Sequence, residues 1–273
     1  MKVFFFSILI LVTNMKILIT GSSGGIGFEV GKRLISEGHF VYFTVHRNEQ
    51  IKPLVNHLKE LNLLSYASVF KLDISREHDR NLILKLDVDC LICNAAIGCG
   101  GSIIDIPIKS LETNYKINVF SNIELIQIYC QELLLNNKKG KIIVMSSLAG
   151  IIPIPFLGSY CATKSSLITL VTCLKKEVEK LTKDIKIKLI EPGIYNTGFN
   201  DVMIENRNSS IFFYKLEPEL TIRCKKLFNF LGHNSLNSIV NKITKAVNSN
   251  SNKLLYSAPL FQKLFSRFYA FFR

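Results

Sequence analysis

Short apolar runs recur along the chain, separated by longer stretches in which apolar positions return every three or four residues. KILIT, FVYFTV, ASVFKLDIS, VDCLIC, KIIVMSS and IKIKLIEP read as buried strands, the third ending at Asp73 and the fourth running on to Asn94. Between them lie helical patterns: one after TGSSGGIG, one in SLETNYKINVFSNIELIQIYCQELLLNN, one from Ser159 to Leu181. NSLNSIVNKITKAVNSN adds a helix and KLLYS a short last strand. Strands alternating with helices imply parallel strands joined by crossovers, so the expected architecture is α/β, a doubly wound parallel sheet with helices on both faces, in one domain.

Three segments follow from the pattern. Residues 1–14, MKVFFFSILILVTN, form an apolar extension too short to span a bilayer, which needs about 20 residues. Three readings stand for it: an upstream start with Met15 as the working one, an uncleaved membrane-associating segment, or a cleaved signal. Residues 15–258 form the body, including a stretch of looser pattern at about 199–233 where a substrate loop is expected. There Ile211, Phe212, Phe213 and Tyr214 form an apolar cluster, read either as a lid over a hydrophobic substrate or as packing on the core. Residues 259–273, PLFQKLFSRFYAFFR, place Phe261, Leu264, Phe265, Phe268 and Phe272 at helical spacing with Lys263, Arg267 and Arg273 elsewhere around the helix. A basic amphipathic helix of this kind packs on a pocket or a partner subunit, or lies on a membrane.

Composition narrows the classes. An apolar fraction of 48% over 273 residues excludes disorder. Seven cysteines, an odd number in no framework spacing, fit a reducing compartment such as the cytoplasm, with membrane association left open by the two apolar ends. Cys90 and Cys93 form a C-x-x-C inside an apolar run with no second pair, so no metal site is expected. The net charge of +13 is scattered along the chain, which argues against nucleic-acid binding; an anionic cofactor or an acidic membrane surface explains the sign better.

Candidate chemistry begins at the first turn. Gly21, Gly25 and Gly27 stand in the pattern G-x-x-x-G-x-G between a strand and a helix, where a pyrophosphate approaches backbone amides at a helix N-terminus. Ser22 and Ser23 serve that site or simply the turn. The next strand ends Thr44, Val45, His46, Arg47, with no carboxylate to take the ribose hydroxyls and an arginine suited to a 2′-phosphate. NADP(H) is therefore expected over NAD(H). Asp73 and Asn94 close strands at the edge where such sheets bind cofactor. Asn118 lies in the apolar half of its helix and needs a partner for its amide if buried. Tyr160 and Lys164, four apart on one helix, put a phenol beside an ammonium, which favours the phenolate and suits proton exchange with an alcohol or ketone. Ser147, at the end of a strand, is placed to hydrogen-bond the same substrate oxygen.

Taken in order, TGSSGGIG, CNAA at Cys93 to Ala96, Asn118, Ser147, Tyr160 with Lys164, and PGIYNT at Pro192 to Thr197 resemble the short-chain dehydrogenase/reductase family from Met15 to about Gly198. The resemblance implies a Rossmann-type fold, hydride transfer with nicotinamide, and a tetrad of Asn118, Ser147, Tyr160 and Lys164. By it Tyr160 is the general acid/base, Ser147 orients the carbonyl, Lys164 tunes the phenol and holds the nicotinamide ribose, and Asn118 anchors a water in the proton relay. Gly21, Ser22, Ser23, Gly25, Ile26, Gly27, Arg47, Asp73, Asn94, Ile194 and Thr197 complete the cofactor set, Ile194 and Thr197 at the nicotinamide carboxamide and Asp73 with Asn94 at the adenosine end. Cys93 and Ala96 depart from the family's usual N-N-A-G. The expected function is interconversion of a secondary alcohol and a ketone on an apolar or lipid-like small molecule, in a homo-oligomer; the alternative is a catalytically silent NAD(P)-binding scaffold.

Overall fold

The computed structural model describes residues 15–271, and the readings of residues 1–14 and of Phe272 and Arg273 lie outside them. Seven strands form one sheet: β1 (Lys16–Ile19), β2 (Phe40–Val45), β3 (Ala67–Lys71), β4 (Cys90–Cys93), β5 (Gly140–Met145), β6 (Ile185–Pro192) and β7 (Leu255–Ala258). Their order is β3-β2-β1-β4-β5-β6-β7 and each neighbouring pair is parallel. The strand order reverses between β1 and β4, so the loops leaving their carboxyl ends diverge and open a crevice.

Because side chains alternate along a strand, each strand feeds both faces of the sheet. Ile17, Ile19, Phe43 and Ile92 meet helices α1 (Gly25–Ser36), α2 (Ile51–Glu60) and α9 (Asn237–Asn248) on one side. Leu18, Leu91, Ile142 and Val144 meet α5 (Asn122–Leu135) and α6 (Gly158–Leu181) on the other. The same alternation disposes of the C-x-x-C. Cys90 belongs to the first core and Cys93 to the second, so the two thiols point to opposite faces. Burial pushes the Cys90 thiol up to about 12, which leaves it protonated and inert.

The remaining helices are α3 (Glu77–Arg80), α4 (Ile108–Tyr115), α7 (Phe199–Glu205), α8 (Glu217–Leu231) and α10 (Leu260–Phe271). Two differences from the sequence reading matter for the site. The long helix expected around Asn118 is interrupted by a turn of wider π type over Lys116–Ser121. Such turns fit an extra residue into a helix and re-aim side chains. The loose stretch at 199–233 contains α7 and α8. Its apolar cluster does not pack on the core: Ile211, Phe212 and Tyr214 are exposed, while Phe213 sets its ring edge-on to Phe156 with centroids 5.2 Å apart.

Candidate active site

The loops at the carboxyl edge of β1, β4, β5 and β6 build the site. At the first, Gly21 and Gly25 have φ of +61° and +56°, the left-handed region that glycine enters without steric penalty. An added Cβ on Gly21 would stand 2.8 Å from Ala95 Cα, so the turn lies directly against the β4 end. Gly24 faces open space and caps α1 with no side-chain hydrogen bond, and no acidic residue occupies the first turn of α1. Unpaired amides at the positive end of a helix dipole fit a pyrophosphate, so the observed cradle suits a dinucleotide.

Several expected cofactor residues turn out to hold this cradle in place. Asn94 Nδ2 donates to Thr20 O at 3.0 Å and Gly21 O at 2.9 Å, tying β4 to the glycine turn. Ser22 differs from expectation. Its hydroxyl donates to Ile19 O at 3.0 Å and accepts from Thr44 N at 2.9 Å, while its own amide donates to Thr44 O. Both groups are thus occupied by the sheet, which leaves Ser23 and Gly24 at the open side. Ile26 is partly buried against the first core, and Thr197 lies against Gly25. Asp73 Oδ1 accepts from Ser75 N and Oγ at 3.0 and 2.7 Å, and Oδ2 lies 3.5 Å from Arg76. Arg47 is exposed beyond β2, its Nε donating to His46 Nε2 at 2.9 Å.

At the opposite end Tyr160 and Lys164 share the buried face of α6. Lys164 Nζ lies 5.7 Å from the Tyr160 ring centroid and donates to Met145 O at 3.0 Å. Ser147 follows β5; its Oγ accepts from Ala149 N at 3.1 Å and donates to Pro192 O at 3.4 Å, and its hydroxyl acts on the neighbouring Tyr160 phenol in the direction of the phenolate. Asn118 is fully buried with its amide satisfied: Oδ1 accepts from Ile97 N at 2.8 Å, and Nδ2 donates to Ile97 O and Thr163 Oγ1 at 2.9 and 3.2 Å. Its side chain therefore fastens the loop after β4 to α6. Thr163, which the sequence reading did not single out, passes the link on by donating to Tyr160 O at 2.7 Å.

The electrostatics correct one expectation. In this structure the Tyr160 phenol is not lowered. Burial pushes it well above its ordinary value, and the Ser147 hydroxyl offsets only part of the rise. Burial also pushes the Lys164 ammonium down to about 8. Removing two groups from water outweighs their mutual help, because desolvation disfavours the charged form of each. The phenol therefore carries its Oη proton at neutral pH, and donating it requires that the phenolate left behind be stabilised.

Tyr160 is walled by a third apolar cluster of Leu157, Cys161, Met203, Ile204 and Phe228, with Ile194 and Phe199 packed against it. The loop between α7 and α8 is held by Asp105, whose Oδ2 accepts from Ser210 Oγ and Ile211 N, both at 2.7 Å.

A parallel sheet with a glycine-lined helix N-terminus at its switch point and a buried Tyr–Lys–Ser group two strands away defines a nucleotide-dependent oxidoreductase. The chain belongs to the short chain dehydrogenase family, whose model matches residues 15–208. It is 31% identical over 206 residues to a probable short-chain type dehydrogenase/reductase, VdlC, of Helicobacter pylori, covering 73% of this chain and 72% of that one. It is also 31% identical over 204 residues to the 3-oxoacyl-[acyl-carrier-protein] reductase FabG of Rickettsia felis, covering 73% and 80%. A short-chain dehydrogenase/reductase of Burkholderia phymatum, solved in complex with NAD, superposes with a TM-score of 0.80 at 16% identity over 93% of this chain and 92% of that one. The protein is thus an NAD(P)-dependent short-chain dehydrogenase/reductase acting on CH–OH groups. Among the described residues no helix is long and apolar enough to cross a membrane, and no cluster of ligating side chains could hold a metal.

The depressed Lys164 value predicts a stability effect whose sign is fixed. The folded protein bears the cost of a buried ammonium in full below pH 8 and loses it as pH rises from 8 toward 10.5. Lys164→Met is therefore expected to raise folding stability at pH 7 by up to about 3 kcal/mol, with the gap closing toward pH 10. Urea unfolding of both proteins at the two pH values checks it, and a variant no more stable at pH 7 refutes it.

Proposed function

We propose that the protein is an NADP(H)-dependent oxidoreductase that interconverts a secondary alcohol and a ketone on an apolar, lipid-like substrate. The observation that carries the chemistry is Tyr160, buried among apolar side chains with Ser147 and Lys164 at hand. When bound, the nicotinamide supplies or receives the hydride. In reduction Tyr160 gives its Oη proton to the carbonyl oxygen, Ser147 holds that oxygen in line, and Lys164 steadies the charge left on the phenol. In oxidation the same proton moves back. Asn118 acts as a positioning residue through Ile97 and Thr163.

Gly21, Ser23, Gly25, Ile26 and Gly27 form the pyrophosphate cradle in this reading, with Asn94 securing it. Thr197 and the Ile194 amide receive the nicotinamide carboxamide. Arg47, free of any carboxylate on the β2 end, takes the 2′-phosphate. The apolar wall of Met203, Ile204 and Phe228 supports a hydrophobic substrate, as does the likeness to an enzyme named for reducing 3-oxoacyl chains. Helix α10 supports a membrane contact, because Phe261, Leu264 and Phe265 are exposed while Ser266 is buried.

Tyr160→Phe is expected to lower kcat for ketone reduction about 10²- to 10⁴-fold while NADPH still binds. Unchanged turnover across a panel from diketones to long-chain 3-oxoacyl thioesters would sink the mechanism. Arg47→Ala is expected to weaken NADPH about 10- to 100-fold and to leave NADH unaffected, read by fluorescence titration. Equal losses for both cofactors, or a native preference for NADH, would remove the 2′-phosphate assignment. For the membrane contact, sedimentation with anionic vesicles is expected for the native chain and lost in Phe265→Asp; native protein left in the supernatant argues against it.

A further inference from the structure

Helix α10 docks on the body through its polar side. Ser266 is fully buried, and Arg267 pairs at 2.7 Å with Glu191, itself almost fully buried in β6 and accepting from Ser257 Oγ at 2.8 Å. One turn before this ion pair, Gln262 reaches to the site. Its Oε1 accepts the Ile194 N–H at 2.8 Å and its Nε2 donates to Leu231 O, the last residue of α8, at 2.7 Å. Gly193 makes the approach possible, since any Cβ there would collide with Gln262 Oε1. The carboxamide is thus held at both ends, between the loop after β6 and the end of α8.

Ile194 packs on the apolar cluster that contains Tyr160. In the reading above, on which this inference rests, its amide receives the carboxamide of the nicotinamide. A glutamine side chain ends in the same primary carboxamide, with one acceptor oxygen and one NH₂ donor. A single N–H directs one strong hydrogen bond, so the two carboxamides are alternatives.

We propose that Gln262 occupies the seat of the nicotinamide carboxamide on the Ile194 N–H, so that seating the nicotinamide displaces Gln262 and this residue sets the cofactor affinity. Binding exchanges one hydrogen bond for an equivalent one and gains little at that atom. Without Gln262 the half-buried N–H has lost its protein acceptor until the cofactor arrives, and regaining one adds to binding. Equivalently, Gln262 lowers the fraction of protein with the seat open, and the apparent dissociation constant rises in inverse proportion to that fraction.

Gln262→Ala and the volume-preserving Gln262→Met are each expected to tighten NADPH and NADH about 3- to 10-fold in titrations of the purified chain. The matched fragments 2′-phospho-ADP-ribose and ADP-ribose, which lack the nicotinamide, are expected to bind wild type and variants alike. Unchanged or weakened dinucleotide binding in both variants, or fragments tightened as much as the dinucleotides, overturns the proposal while leaving the oxidoreductase reading intact. Wild type and variants that all fail to bind either dinucleotide would remove the cofactor reading and this inference with it.

Discussion

Lys164 keeps a primary amine out of water with one backbone carbonyl, that of Met145, as its hydrogen-bond acceptor. No carboxylate pairs with it among the described residues, so the amine is poised near neutrality by desolvation alone. The surrounding elements keep that arrangement from relaxing. The Ser146 hydroxyl donates to Lys164 O at 2.9 Å, fixing the helix against the end of β5. Thr163 and Asn118 hold the same helix turn from the β4 side. An amine that could turn toward solvent would recover its ordinary basicity and leave the tyrosine. The function therefore depends on a packed helix more than on any single charge.

Polar staples do at the carboxyl edge what apolar packing does in the sheet. Thr20 Oγ1 accepts from Asn94 N and Ala95 N at 2.9 and 3.0 Å, Asn94 returns two bonds to the glycine turn, and Ser22 with Thr44 joins β1 to β2. Loops that leave a sheet lose their ladder partners, and each buried amide or hydroxyl must find another. The result is a rigid rim with an open helix N-terminus at its centre. A preformed anion cradle of this kind reduces the ordering that binding would otherwise require.

The wall around Tyr160 comes largely from outside the parallel sheet. Helices α7 and α8 contribute Met203, Ile204 and Phe228 to it, while Phe230 on α8 and Ile211 and Phe212 in the loop between them are exposed. They are tied to the body by side-chain bonds through Asp105 and Gln262 and by loop bonds such as Asn208 N and Nδ2 to Gly100 O and His233 N to Ile194 O.

The periodicity of the chain was enough for the strands, for helices α1, α6, α9 and α10 and for the glycine turn, because burial on two faces of a parallel sheet imposes its own spacing on apolar residues, but it did not mark α2, α3, α7 and α8. The i,i+4 relation of Tyr160 and Lys164 is equally local, a matter of helix geometry. Other features depend on contacts between residues far apart in the chain. The partners of the Asn118 amide, Ile97 and Thr163, lie 21 and 45 residues away in sequence. Ser22 reads as a phosphate-loop serine until β2 is laid beside it. The sign of the Tyr160 shift turned on how much water α6, α7 and α8 exclude, a quantity no motif encodes. Gln262 looks like one polar residue in an amphipathic helix; its place on the Ile194 amide exists only once α10 is folded across β6.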